Sequence, residues 1–223
     1  MIELLPRKDR RRVLDICEPL ELHLSEVLSE SSVPTVHVYF PIDATISLVT
    51  PIDGKPALEV GMVGREGMVG VELALGVMTS PWHAVVQGAG RTWRISAAAF
   101  CGVLAETPAL RLGMKRYLYV LMSQLAVSAA CLRFHLIGPR LARWLLMTQD
   151  RAHADTFHVT QEFLAYMLGM RRVGITLAAG TLQRAGLIEY NRGKMRVLNR
   201  AGLEAAACGC YAADQKAYRE LLG

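Results

Sequence analysis

The first hundred residues of the chain show short runs in which apolar and β-branched residues dominate or alternate with polar ones. Such runs occupy residues 35–40, 44–49, 57–63, 83–87 and 91–96. Turn-forming residues separate them, at Pro41 to Asp43, at Asp53-Gly54 and at Gly88 to Gly90. Short strands at this spacing predict a β-sandwich or a jelly-roll barrel.

The apolar spacing changes to a helical one after about Ala105. A stripe of apolar residues then recurs at spacings of four, three, four and seven, formed by Met114, Leu118, Leu121, Leu125 and Leu132. This heptad-like pattern predicts a long helix that pairs with a second copy as a dimer interface, and packing on its own domain is the alternative. Gly138-Pro139 is expected to end this helix and to act as a hinge.

Residues 160–188 have the spacing of two short crossed helices. Thr160 can cap the first helix, and Gly169 falls at the turn between the two. The positions that two crossed helices must bury are apolar, namely Leu164, Leu168, Ile175 and Leu182. This pattern predicts a helix-turn-helix. Residues 186–199 then read as strand, tight turn and returning strand, so the segment as a whole predicts a winged helix.

The charge distribution supports a nucleic-acid partner. The formal net charge is +5, and residues 138–200 hold ten Lys or Arg against four Asp or Glu, which is +6 for that segment alone. A basic excess of this kind is typical of a surface that meets a polyanion. The basic positions include the start of the second helix and the turn of the wing, and both would face the same duplex.

Each candidate DNA-binding residue has an expected role. A recognition helix presents its N-terminal residues to the base edges in the major groove. We expect Arg172 to read guanine and Arg171 to contact a base or a phosphate. Thr176 is expected to reach a base edge or a thymine methyl group, and Val173 to touch a thymine methyl group. The positions better placed for phosphates, which fix register without reading sequence, are Thr160, Arg192 and Lys194.

The cysteines and the apolar segments indicate the cellular compartment in which the protein is expected. Five scattered cysteines, an odd number, fit a reducing cytoplasm better than a disulfide framework. No signal peptide is recognisable, and the longest uncharged run of the helical part, Tyr117 to Leu132, has sixteen residues where a bilayer span needs about 20. Cys208-Gly-Cys210 offers two ligands, which do not make a metal site, so neither a metal nor a cofactor is expected.

The order of these parts resembles the Crp/Fnr family of bacterial transcription regulators. The resemblance is strongest in "VTQEFLAYMLGMRRVGITLAAGTLQRAGLI" and the following wing, and is visible in "YFPIDATISLV" and "VGREGMVGVELALG". It implies an α+β chain with three parts: a double-stranded β-helix (jelly-roll) sensor domain at 1–105, a dimerisation helix at 106–137 and a winged helix-turn-helix DNA-binding domain at 138–223. It also implies a homodimer on an inverted-repeat operator, and contact with RNA polymerase.

The sensor half departs from the cyclic-nucleotide-binding members of the family. Their cassette pairs a Glu, which holds the ribose, with an Arg that neutralises the cyclic phosphate. Glu72 matches the first, but Trp82-His83-Ala84 stands where the Arg-Ser-Ala is expected. An indole carries no charge to oppose a phosphate, so cyclic AMP is not the expected effector. Glu72, Trp82 and His83 remain candidates for a pocket that binds another small molecule.

Two other functions stay open at this stage. One is a DNA-compacting protein that binds duplexes without sequence preference. The other is a small-molecule enzyme on a cupin-like barrel, for which His37, His83 and scattered Glu residues lack the usual close His-x-His pair. The expected function is a sequence-specific transcription regulator without enzymatic activity.

Overall fold

The computed structural model describes residues 1–52, 55–152 and 154–222. In the described part of residues 1–96 it has one short α-helix, seven strands and two short 3-10 helices, Ile2–Leu4 and Val71–Leu75. In chain order the α-helix and the strands are α1 (Arg7–Leu14), β1 (Glu18–Leu22), β2 (Val27–Ser29), β3 (His37–Pro41), β4 (Thr45–Ile52), β5 (Lys55–Val63), β6 (His83–Gly88) and β7 (Gly90–Ser96). The turn expected at Asp53-Gly54 lies outside the described residues.

The strands form two antiparallel sheets that enclose the first core. One sheet has the order β1-β7-β3 and the other β2-β6-β4-β5. Side chains alternate along β6, where Ala84 and Val86 point inward and are fully buried. They meet residues from the other strands that are equally buried, such as Leu22, Val38 and Ile46. The five runs that the apolar pattern marked as strands correspond to β3 to β7.

Two helices follow the β-roll, α2 (Ala97–Glu106) and α3 (Pro108–Phe134). The two helices are separated by Thr107, whose backbone is extended. Pro108 occupies the first position of α3, where a missing N–H costs nothing. By length and composition alone α3 could cross a bilayer, with a mean hydropathy of 1.3 over an 18-residue window. It contributes Met114, Tyr117 and Leu121 to the core beneath the β-roll.

The packing of α3 corrects the dimer stripe expected from the sequence. Met114 is 1% exposed and Leu121 is 3% exposed, because both pack against the β-roll of their own chain. They are therefore unavailable to a partner. Leu118 and Leu125 pack at the edge of the same core and are half-buried, as is Leu132.

The exposed side of α3 has a heptad pattern of its own. Its apolar members, spaced by seven, three, four and three, are Leu112, Tyr119, Met122, Ala126 and Ala129. We call this set the α3 stripe. Met122 is 66% exposed and Tyr119 is 63% exposed. The sequence pattern could not separate this side of the helix from the buried one because both are apolar.

The connection after α3 also differs from the expected hinge. α3 ends at Phe134, and α4 (Ile137–Ala152) begins three residues later. Gly138-Pro139 thus lies in the first turn of α4 and does not form the break, since proline is tolerated in the first turn of a helix. The chain changes direction at His135 and Leu136.

The C-terminal elements form a second core. They are β8 (Thr156–His158), α5 (Gln161–Met167), α6 (Arg172–Arg184), β9 (Ile188–Asn191), β10 (Lys194–Val197), α7 (Arg200–Ala206) and α8 (Cys210–Leu222). The three strands form an antiparallel sheet of order β8-β10-β9. α8 returns to pack along α3, and α5 packs against β5. The expected α+β class, with an N-terminal β-roll and a C-terminal winged helix-turn-helix, is confirmed.

Polar contacts join α4 to the β-roll. Trp144 Nε1 donates to Glu59 Oε1 at 2.9 Å, and Arg151 Nε donates to Glu66 Oε1 at 2.8 Å. The carboxyl group of Glu59 is enclosed although the residue as a whole is half-buried, and this burial raises its pKa from 4.5 to about 7. Burial outweighs the hydrogen bonds from Ser47 and Trp144, which lower the pKa.

Candidate DNA-binding surface

Local sequence builds the helix-turn-helix of α5 and α6. Thr160 is the N-cap of α5, and its Oγ1 accepts from the Phe163 N–H at 3.1 Å. The predicted buried positions are confirmed, with exposures of 7% or less for Leu164, Leu168, Ile175 and Leu182. The cap uses the acceptor capacity of the Thr160 hydroxyl, so its proton remains available to a ligand.

Gly169 makes the turn between the two helices possible. Its φ of +59° lies in the left-handed region, and the Met170 N–H donates to the Ala165 carbonyl at 2.9 Å. A Cβ at this position would also lie 2.8 Å from Leu58 Cδ1. The turn places Arg171 at the N-cap of α6, with Arg172 as the first residue of that helix.

One face of α6 is free. Its exposed residues are Arg172, Val173, Thr176, Leu177, Thr181, Gln183 and Arg184. Val173 is 70% exposed and Leu177 is 66% exposed, although both are apolar. The sequence analysis did not name Leu177 and Arg184 as DNA-binding candidates. Their spacing of four and eleven residues from Val173, which places them on the same side of the helix, could have identified them.

Thr176 has a partner within the protein. Its hydroxyl lies 2.9 Å from Gln161 Oε1 and 3.0 Å from the Arg172 carbonyl, and it can donate to either. This contact ties α6 to the first turn of α5. The Thr176 side chain can therefore contact a base through its methyl group. Its hydroxyl can do so only if it breaks the hydrogen bond to Gln161.

The wing is a two-residue hairpin. Arg192 and Gly193 both have positive φ, +48° and +82°, as a type I′ turn requires. Lys194 pairs with Asn191 across the hairpin and with His158 on the other side. The exposed basic residues here are Arg192 and Lys194, together with Arg196, which the sequence reading did not select.

The ten basic residues of the 138–200 segment separate into two groups. Arg143, Arg151 and Arg200 form ion pairs with Asp214, Glu66 and Asp150. Arg140 is buried and donates to the Leu168 carbonyl at 2.5 Å. The other six are exposed and, within the described ranges, form no ion pair: Arg171, Arg172, Arg184, Arg192, Lys194 and Arg196.

The ion-paired arginines hold the winged helix together. Arg200 Nη1 donates to Gln149 Oε1 at 2.9 Å and its Nη2 to Asp150 Oδ1 at 2.8 Å. Tyr211 donates to Asp150 Oδ2 at 2.9 Å, and burial together with this hydrogen bond raises the pKa of the phenol. α4, α7 and α8 are thereby joined behind the exposed basic face.

The three effector-pocket candidates have separate partners. Glu72 is buried, and its Oε1 accepts from Thr35 Oγ1 at 2.5 Å, while its Oε2 has no hydrogen-bond partner among the described residues. Trp82 packs at the edge of the first core, and His83 Nδ1 accepts from the Ser31 N–H at 3.4 Å. Among the hydrogen bonds of the described residues, none joins two of these three side chains.

The structure brings together more potential metal ligands than the two that the sequence suggested. Cys208 and Cys210 do not stand alone, because the packing of α8 on α3 brings Cys131 and His135 to them. Sequence spacing within one segment could not reveal this, since more than seventy residues separate the two halves.

The fold and the exposed basic face define a class: a β-roll protein with a winged helix-turn-helix of the DNA-binding kind. Residues 139–206 match the family described as the Crp-like helix-turn-helix domain. The search of curated proteins gave no match.

Several solved structures share the fold over most of their length. FixK2 from Bradyrhizobium japonicum is 12% identical with a TM-score of 0.73, covering 86% of this chain and 98% of that one. A crp/fnr-family regulator from Eubacterium rectale is 15% identical with a TM-score of 0.70, covering 91% and 94%. A CRP/FNR-family transcriptional regulator from Thermus thermophilus is 21% identical with a TM-score of 0.70, covering 85% and 98%.

Residues 139–206 are therefore a Crp-like helix-turn-helix domain, and the whole chain shares the fold of solved Crp/Fnr-family regulators. The matched helix-turn-helix domain favours the DNA-binding function expected from the sequence over the cupin-like enzyme.

Proposed function

We propose that this chain acts in the cytoplasm as a homodimer that binds inverted-repeat double-stranded DNA in a sequence-specific manner. The observation that carries the proposal is the set of six exposed, unpaired basic side chains on α6, at its N-cap and on the wing. They surround two exposed apolar side chains on α6. A purely electrostatic surface for any duplex would have no use for that apolar pair.

The start of α6 would read sequence in the major groove. Arg172 is proposed to donate two hydrogen bonds to guanine, a contact worth about 1–3 kcal/mol of discrimination. Arg171, at the N-cap, would reach a base or the neighbouring phosphate. Val173 and Leu177 would contact thymine methyl groups, and Thr176 would add its own methyl group while Gln161 keeps its hydroxyl.

The wing and the N-cap of α5 would fix the register on the backbone. Arg192, Lys194 and Arg196 supply cations on one hairpin, and Thr160 supplies a hydroxyl proton. Contacts of this kind go to phosphates and carry no direct sequence information. Each neutralised phosphate releases condensed counterions, which makes the binding strongly salt-dependent.

The α3 stripe, flanked by Leu118, Leu125 and Leu132, is the proposed dimer interface. A parallel pair of α3 helices would set two recognition helices about 34 Å apart on successive major grooves. The β-roll would sense an effector or a partner other than cyclic AMP, and the unpartnered Glu72 Oε2 is a candidate acceptor there. Recruitment of RNA polymerase follows from the resemblance to the family and completes the proposal.

The wing can be tested by measuring binding to a mixed-sequence duplex by fluorescence anisotropy across a salt series. The double variant Arg192→Ser/Lys194→Ser should bind all sequences more weakly. It should also flatten the plot of log K against log salt by about 0.9 per lost phosphate contact. The slope reports the number of phosphate contacts. Circular dichroism shows separately whether the variant is folded.

The matched control removes two exposed cations from another face, Lys216→Ser/Arg219→Ser on α8. Its salt slope should equal that of the native protein. Equal losses in both double variants would mean that net charge, and not the wing, governs binding. That result would favour a DNA-compacting protein without sequence preference.

A further inference from the structure

Three thiols and one imidazole converge where α3 ends and α8 begins. Their ligand atoms, from Cys131, His135, Cys208 and Cys210, all lie within 4.8 Å of one another. Cys131 and Cys208 are buried, and the other two residues are half-buried. The cluster lies apart from the DNA-binding surface and has no part in the function proposed above.

The distances fit a shared ion better than a disulfide. Cys131 Sγ lies 3.5 Å from Cys208 Sγ, and Cys210 Sγ lies 3.5 Å from His135 Nδ1. A disulfide bond would need about 2.05 Å between the sulfurs. Sulfurs bound tetrahedrally to zinc at about 2.3 Å stand about 3.8 Å apart, close to the separation found here.

Backbone structure presents the four ligands in two pairs. Cys131 and His135 are four residues apart, so they lie on the same side of the last turn of α3, and the His135 N–H donates to the Cys131 carbonyl at 3.1 Å. On the other side, the Cys208 carbonyl accepts from the Tyr211 N–H at 3.1 Å as α8 starts. Each pair is therefore oriented by its own helix end.

The surrounding charges favour a negatively charged centre. Arg140 is buried, and among the described residues the only hydrogen-bond partner of its guanidinium group is the neutral Leu168 carbonyl. It lines the same cavity as Cys131, together with Arg143, which is itself paired with Asp214. A divalent ion with three thiolates and one neutral imidazole has a net charge of −1, which would compensate the Arg140 charge.

We propose that Cys131, His135, Cys208 and Cys210 bind one zinc ion in a closed tetrahedral site. Three cysteines and one histidine are a ligand set typical of structural zinc, with no open position for a substrate. On binding, each thiol loses its proton to solvent, the histidine binds as the neutral imidazole, and nothing is oxidised or reduced. The ion would clamp α8 to α3 beside the His135–Leu136 connection.

The test is metal analysis of the full chain purified without a polyhistidine tag, followed by substitution with Co²⁺. We expect one zinc ion per chain. We also expect the cobalt form to show thiolate charge-transfer bands and the intense visible bands of a tetrahedral ion. Cys210→Ser and His135→Ala should each weaken cobalt binding by more than about tenfold, since even second-shell changes cost 10–100-fold.

Cys101→Ser and Cys17→Ser are the matched controls, because both remove a free thiol outside the cluster. They should keep the ion and the cobalt spectrum. Three results would overturn the assignment: reduced native protein that takes up neither ion, a disulfide among the three cluster cysteines, or an iron–sulfur chromophore. Cobalt titration of the native chain decides the question even if a ligand variant fails to fold.

Discussion

Individual arginines show why a charge count is only the start of a functional argument. Arg143 and Arg151 pair with carboxylates that lie 71 and 85 residues away in the chain. Counting charges in one segment treated these two as part of the basic excess. The structure assigns them to the core and leaves the exposed cations on α6 and the wing.

Glu59 leads to a prediction about pH. Its folded-state pKa of about 7 exceeds the ordinary 4.5, so between these values the unfolded chain loses the proton while the folded chain keeps it. Stability should therefore fall as pH rises through this window and level off above it. The loss attributable to Glu59 is roughly 3 kcal/mol, at about 1.4 kcal/mol per pKa unit.

Urea unfolding between about pH 5 and pH 8 measures this effect when native protein is compared with Glu59→Gln. The native protein should lose more stability across the range than the glutamine variant. Other titrating groups contribute equally to both proteins and cancel in the difference. Parallel pH profiles would show that the Glu59 carboxyl group is solvated in the folded protein.

At the scale of elements, the turn between α5 and α6 depends on Gly169. Gly169→Ala places a side chain in the left-handed region, at a cost of about 1–2 kcal/mol, and brings its Cβ against Leu58. Gly102→Ala in α2 is the matched control, because its φ is not positive and an added Cβ meets nothing within 4 Å. That control should gain about 0.5–1 kcal/mol.

Chemical unfolding of the two alanine variants gives the comparison. We expect opposite signs, with Gly169→Ala less stable and Gly102→Ala more stable than the native protein. If both substitutions stabilised the chain, the positive φ at Gly169 would not be required by the helix-turn-helix.

The α3 helix gives the prediction about assembly. Met122→Glu introduces a charge in the middle of the α3 stripe and should shift the protein from dimer to monomer in sedimentation velocity. Affinity for a two-half-site duplex should fall with it. Met78→Glu is matched in chemistry and is also exposed, at 53%, but lies in the β-roll. If Met78→Glu dissociated the dimer and Met122→Glu did not, the interface would lie elsewhere.

The elements themselves were predictable to different degrees. The strands β3 to β7 and the pair α5 and α6 have strong local periodicity, and all were expected near their observed places. β1 has only Leu22 fully buried, and β2 is three residues long, so neither has a pattern to detect. The apolar set from Met114 to Leu132 was assigned to a partner because periodicity identifies an apolar face but not what covers it.

At the scale of the whole molecule, the unpredicted features are those made by distant segments. The thiol–imidazole cluster needs the packing of α8 on α3, and the effector candidates need a pocket that no spacing defines. By contrast, the DNA-binding surface comes from one continuous stretch, Thr160 to Arg196, so its candidate residues could be named from the sequence.

The central claim is that two recognition helices read DNA with Arg172 at a base. The most direct measurement is selection of bound duplexes from a random library, with native protein, Arg172→Ala and the exposed-surface control Arg7→Ala. We predict an inverted repeat for the native protein and the control, and relaxed preference at one symmetric position for Arg172→Ala. An unchanged half-site in Arg172→Ala, or no enriched sequence with native protein alone and with cell extract added, would contradict this account.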